Sequence, residues 1–120
     1  MSRARGLDLQ NALARYLRAW FPHAESAGVG RNGTDVLGTP GITWECKTAA
    51  NFKADFRPLE WVRQVTANLG QGNLPVVVYW PAGIGEKNAA AALSIIPLGD
   101  LMIVLEQAGY AVRTEARDGQ

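Results

Sequence analysis

Residues Val76-Val77-Val78-Tyr79-Trp80, enclosed by Pro75 and Pro81, form an unbroken run of β-branched and aromatic side chains. A strand whose side chains alternate between two sheet faces, yet are all apolar, needs cover on both faces. Such a strand belongs in a sheet interior with helices packed on either side, which excludes all-helical and simple hairpin architectures. The rest of the chain supplies the cover. Leu9, Leu13, Tyr16, Leu17 and Trp20 recur at helical spacing and predict an amphipathic helix over 7–20, stopped before Pro22. Pro58 suits a first helical position, and Leu59, Val62, Val65 and Leu69 then mark one face of a second helix ending before Gly70. A third follows from Leu98, Leu101, Met102, Leu105 and Ala108, closed by Gly109.

Between the first two helices the sequence is punctuated by Gly and Pro, and predicts short strands near 24–29, 34–38 and 42–48. The last two form a hairpin turning through Thr39-Pro40-Gly41. A weaker strand is expected at 93–96. The order is α-β-β-β-α-β followed by an extra strand and helix: a mixed α/β sheet flanked by helices. At 120 residues and 12.9 kDa the chain accommodates one core, so a single domain over 1–112 with a frayed polar tail at 113–120 is expected.

Charge narrows the function classes. The net charge of +1 gives no overall field to draw the protein to nucleic acid or membrane. The halves differ, however: residues 1–63 carry nine basic and six acidic side chains, and residues 64–120 three and five. Any polyanion site is therefore local and in the first half. The uncharged stretch between Arg63 and Glu86 is broken by Gln, Asn, Gly and Pro, so no membrane span is expected. With Cys46 the single cysteine, no intramolecular disulfide can form, and an intracellular, cytoplasmic protein is the expectation.

The chemistry concentrates at Asp35 and at Trp44-Glu45-Cys46-Lys47. In a hairpin centred on Pro40, Asp35 and Glu45 are equidistant from the turn and face each other. Alternation then places Glu45 and Lys47 on one face and Trp44 and Cys46 on the other. Facing carboxylates about 5 Å apart repel, and a hard divalent cation relieves that repulsion directly. Lys47 adds a cation able to orient an attacking water or to stabilise charge on a phosphate. Together the three groups suit metal-assisted phosphodiester hydrolysis. Arg31, Lys53, Arg57 and Arg63 flank this segment, and Arg3 and Arg5 precede it, as candidate phosphate contacts.

Asp35 followed by Glu45-Cys46-Lys47, in this element order, resembles the PD-(D/E)xK nuclease superfamily, and within it the archaeal-type Holliday junction resolvases and their phage-encoded relatives. The resemblance covers about residues 5–81, including Gly6 before the first helix and the Ser26-Ala27-Gly28 triplet. It implies a restriction-endonuclease-like fold and a Mg²⁺-dependent endonuclease, with Mn²⁺ able to substitute. Asp35, Glu45 and the main-chain carbonyl of Cys46 would hold the metal, Lys47 would position the water, and Ser26 would join the basic residues on DNA. Thr34 stands where the name has proline. Gln10 occupies the place of a first-helix Glu, and Gln64 on the second helix is given a supporting role. The implied partner is DNA, foremost four-way junctions cut by a homodimer; the apolar content of the third helix and of the Trp80 end of the central strand makes these the expected interface. Alternatives are a nuclease of the same superfamily acting on flaps, ends or single strands, or a non-catalytic DNA-structure-binding protein on that fold.

The remaining candidates read as structural. Gly83-Ile84-Gly85 lacks the spacing of a nucleotide loop and is expected to be a flexible connection. His23 has no ligand partner at useful spacing, the Cys46 side chain turns to the core, and Trp61 and Trp80 are expected in packing roles.

Overall fold

A computed structural model describes residues 3–28, 33–70 and 73–114, and the side chains of all of these except 3–5. Its order is α1 (Arg3–Leu17), β1 (Glu25–Ser26), β2 (Val36–Leu37), β3 (Ile42–Thr48), α2 (Phe52–Asp55), α3 (Pro58–Ala67), β4 (Leu74–Trp80), a 3-10 segment (Glu86–Ala91), β5 (Leu93–Ile95) and α4 (Leu98–Gln107). Strand β4 is central, parallel to β3 and antiparallel to β5. The β3–β4 connection runs through α2 and α3, as a parallel pair requires.

The two-sided burial expected of the valine run is present. Val76, Val78 and Trp80 lie in one core with Trp44 and with Leu9, Leu13 and Leu17 of α1. Val77 and Tyr79 lie in a second core with Trp61 and Val65 of α3. The chain is therefore a mixed α/β domain with helices on both faces of a three-stranded sheet. Pro75 falls near the start of β4, where a missing N–H interrupts the ladder least.

Helix boundaries differ from the sequence expectation in instructive ways. α1 ends at Leu17, and a turn in which the N–H groups of Trp20 and Phe21 both donate to Leu17 O leads to Pro22. Trp20 thus leaves the apolar stripe and is 61% exposed, packed edge-on against half-exposed Tyr16. On α3 the buried face is Trp61 and Val65, while Leu59 points outward, because the larger Trp61 ring takes the space over Tyr79. α3 also stops at Ala67 instead of Leu69.

Strands β1 and β2 are two residues each and pair antiparallel, Glu25 with Leu37 and Ser26 with Val36. The segment 83–92 is not a loose connection: Ile84, Ala89 and Ala92 pack on the α1-side core, and the 3-10 segment lies against α1. Of the expected tail, exposed Arg113 has its Nε 3.5 Å from Glu106 Oε1, and the residues beyond Thr114 lie outside the described residues. No helix of the described residues is long and apolar enough to cross a membrane.

Candidate active site

The seam between β2 and β3 carries the site. The expected hairpin register would oppose Asp35 to Glu45, but the backbone is one residue displaced: the Asp35 N–H donates to the Trp44 carbonyl at 2.8 Å. A regular ladder would return a bond from the Trp44 N–H to a main-chain oxygen. Here that N–H donates to Thr34 Oγ1 at 2.9 Å, and the same hydroxyl donates to Val36 O at 2.9 Å. The Asp35 carbonyl, freed from β3, accepts instead from Ala27 N at 2.9 Å and from Gln10 Nε2 at 3.3 Å. Thr34 thus replaces a ladder bond with a hydroxyl bridge, and the expected hairpin of 34–38 with 42–48 does not form as a paired ladder: β2 pairs with β1, and β3 belongs to the sheet of β4 and β5.

The displacement does not carry the Asp35 side chain away. Its Oδ2 accepts the Cys46 N–H at 2.7 Å, and the Glu45 carboxyl is close enough to influence its ionisation. In an extended strand the N–H and C=O of one residue point to the same edge, so the Cys46 carbonyl also turns toward Asp35. Lys47 Nζ stands 3.9 Å from Glu45 Oε2, with both side chains three-quarters or more covered. Glu45 and Lys47 share the α3 face of β3, in register with Val77 and Tyr79, while Trp44 and Cys46 belong to the α1 face, as alternation requires.

Burial governs the electrostatics. It raises the Glu45 carboxyl to about 7, reinforced by the neighbouring Asp35 charge and opposed by Lys47. Burial also raises Asp35, against the stabilising N–H of Cys46, contact with Glu45 and the charge of Lys47. The pair is short of positive charge, which one lysine does not make good. The donor set suits a hard cation: two carboxylates and one main-chain oxygen turned to the same edge, all oxygen. Among the described residues no group of three or more Asp, Glu, His or Cys side chains comes together, so these two carboxylates would be the only acidic ligands.

Other expected residues divide clearly. Gln10 is brought in: it is 9% exposed on α1 and binds the Asp35 carbonyl, which makes it a clamp on the strand that carries the carboxylate. Gln64 is exposed on α3, and its side chain makes no hydrogen bond to Asp35, Glu45 or Lys47. Ser26 Oγ accepts Gly28 N at 3.2 Å and so serves the turn after β1. Lys53 and Arg63 are exposed, and exposed Arg57 is held by Ala54 O at 3.1 Å and by Glu60 at 3.9 Å. Arg3, Arg5 and Arg31 fall among positions whose side chains lie outside the described set.

Two aromatic expectations are met and one interface expectation is corrected. Trp61 and Trp80 are both packing residues, at 6% and 1% exposure. Trp80 Nε1 donates to Cys46 Sγ at 3.0 Å, so that end of β4 is interior and is not available as an interface. Burial pushes the Cys46 thiol up to about 12, consistent with an inert core side chain. Sequence reasoning missed the Thr34 bridge and the short helix α2, whose Phe52 stands exposed beside the same sheet face. The signal for α2 was present in Asn51 and Asp55, which cap it reciprocally: Asn51 Oδ1 accepts Ala54 N and Asp55 Oδ2 accepts Asn51 N.

The sequence matches no protein-family model, and no curated protein or solved structure matches the chain.

Proposed function

We propose that the chain is a metal-dependent DNA endonuclease with a restriction-endonuclease-like fold, in which Asp35, Glu45 and the Cys46 carbonyl hold Mg²⁺ and Lys47 positions the water nucleophile. The observation that carries this reading is the pair of half-buried, neighbouring carboxyls with Lys47 3.9 Å from Glu45, a cluster that is unfavourable by itself and suits a divalent cation. Bound there, the metal would supply Lewis-acid polarisation of the phosphate and an acidified water. The residues do the remaining work. The Cys46 N–H fixes one Asp35 oxygen, Gln10 and Thr34 fix the strand behind it, and Lys47 faces the same side as Glu45. Lys53, Arg57 and Arg63 would meet the DNA backbone, with Arg3, Arg5 and Arg31 as further candidates.

The substrate this reading favours is the four-way junction, cut by a homodimer that offers two copies of one site to two related strands. Flap, end or single-strand cleavage is the second reading. A synthetic four-way junction, matched duplex, flap and single strand, incubated in Mg²⁺, Mn²⁺ and EDTA, separate these. We expect paired nicks in the junction, absent in EDTA and in Asp35→Asn or Glu45→Gln, with Lys47→Ala slower by about 10²–10³-fold. Full activity in either carboxylate variant overturns the assignment. Binding without cleavage in both metals replaces it with a DNA-structure-binding role.

A further inference from the structure

Four aromatic rings run outward from the sheet face that carries Glu45 and Lys47. Tyr79, the cross-strand neighbour of Lys47, stacks on Trp61 at 5.6 Å, and both are buried. Phe56 meets Tyr79 edge-on at 4.8 Å and Trp61 at 5.3 Å. Phe52 lies almost parallel on Phe56, with centroids 4.7 Å apart and planes 18° from coplanar. One face of Phe52 is thus used, yet the residue is 61% exposed.

The ring is also held in place. Asn51 and Asp55 cap the turn reciprocally, the Phe56 N–H donates to Phe52 O at 3.1 Å, and Arg57 Nε closes on Ala54 O. A rigid aromatic face left open to solvent, two ring contacts from Tyr79, is what a planar ligand needs. Lys53 is adjacent and exposed, with no carboxylate within 4.0 Å among the described residues.

We infer that Phe52 is a stacking platform for one unpaired nucleobase of DNA whose backbone passes Lys47 and Lys53. This inference rests on the nuclease reading and deepens it by naming what sets substrate choice. A base inside a duplex has neighbours on both faces, so only a base already out of the stack, at a branch, flap or single strand, can reach the ring. Phe52 therefore selects for interrupted duplex, independently of the metal site.

The test uses the full chain with Glu45→Gln, in Ca²⁺ to prevent cutting, and DNA carrying 5-iododeoxyuridine at an unpaired position, beside a fully paired duplex of the same sequence. Irradiation should crosslink the unpaired base to Phe52, located by mass spectrometry of the peptide. Phe52→Leu should weaken binding of the unpaired substrate roughly five- to 150-fold and leave duplex binding unchanged, whereas Phe52→Trp should retain affinity. Equal affinity of Phe52→Leu and Phe52 proteins for unpaired DNA, or a crosslink elsewhere, overturns the platform while leaving the nuclease intact. Circular dichroism checks that Phe52→Leu is folded, and if it is not, loss of affinity in Phe52→Trp overturns the inference in its place. Absence of any DNA binding by the wild-type chain removes both readings, and cleavage by the wild type without base selectivity removes only this one.

Discussion

At the scale of single residues, the site is defined by an imbalance. Two carboxyls share a covered space and one ammonium group faces them, so the folded state favours a proton on Glu45 up to about pH 7, against an ordinary carboxyl value of 4.5. Because the folded pKa is the higher one, this group's contribution to stability is complete below pH 4.5 and is lost as pH rises through about 7. Asp35 is raised as well and acts in the same direction. Metal-free protein should therefore lose urea resistance as pH rises from about 4.5 to about 7 and level off above. Glu45→Gln should flatten that slope, and millimolar Mg²⁺ should flatten it in the wild type by taking the proton's place. A slope unchanged by both would show that the pair is not the source. The three charged residues were legible in the sequence because the Glu45-x-Lys47 alternation fixes a common face whatever the details of pairing. The way Asp35 joins them was not, since a hydroxyl replacing a ladder bond leaves no periodic trace.

At the scale of elements, the apolar run of β4 was the dependable guide, because burial on both faces leaves few alternatives. The β1–β2 pair was much less legible: it has four residues in all and owes its position to contacts remote in sequence. Its closest approach is at Gly38, whose φ of +83° favours glycine and whose backbone lies so near His23 that a Cβ would overlap the His23 carbonyl group. Gly41, at the other end of the same connection, has nearly the same φ, +85°, but open space around it. The two separate conformational strain from collision. Gly41→Ala should cost about 1–2 kcal/mol, the ordinary penalty of a left-handed alanine. Gly38→Ala should exceed it by at least about 2 kcal/mol, because neither backbone segment can yield without disturbing the Asp35 seam. Urea midpoints of the two variants measure the difference, and equal midpoints would mean that β1 is free to move away.

At the scale of the whole molecule, α4 is the element whose amphipathic pattern is plain in the sequence and whose partner is not. Its stripe of Leu98, Leu101, Met102 and Leu105 repeats at helical spacing as a buried face would, yet no residue of α4 is buried. Val104 and Ile103, the latter itself 51% exposed, line a cavity with Ile42 and Leu74. The outward side leaves Leu98 72%, Leu101 36% and Met102 42% exposed, following an edge strand whose Leu93 is also open. Periodicity reports which side chains want cover and is silent on whether the cover comes from the same chain. Under the homodimer proposal, two copies of this stripe meet about a two-fold axis, each helix covering the other. Light scattering on the eluting protein should then give twice 12.9 kDa at tens of micromolar concentration. Leu101→Glu with Met102→Glu should return the mass to that of one chain with an unchanged circular dichroism spectrum, because neither side chain is part of the buried core. Such a monomeric variant separates the two catalytic readings: each site should still nick, but the paired symmetrical cuts of a junction should fall to single cuts. A wild-type chain that is monomeric throughout, and still makes paired cuts, would detach junction resolution from α4 altogether.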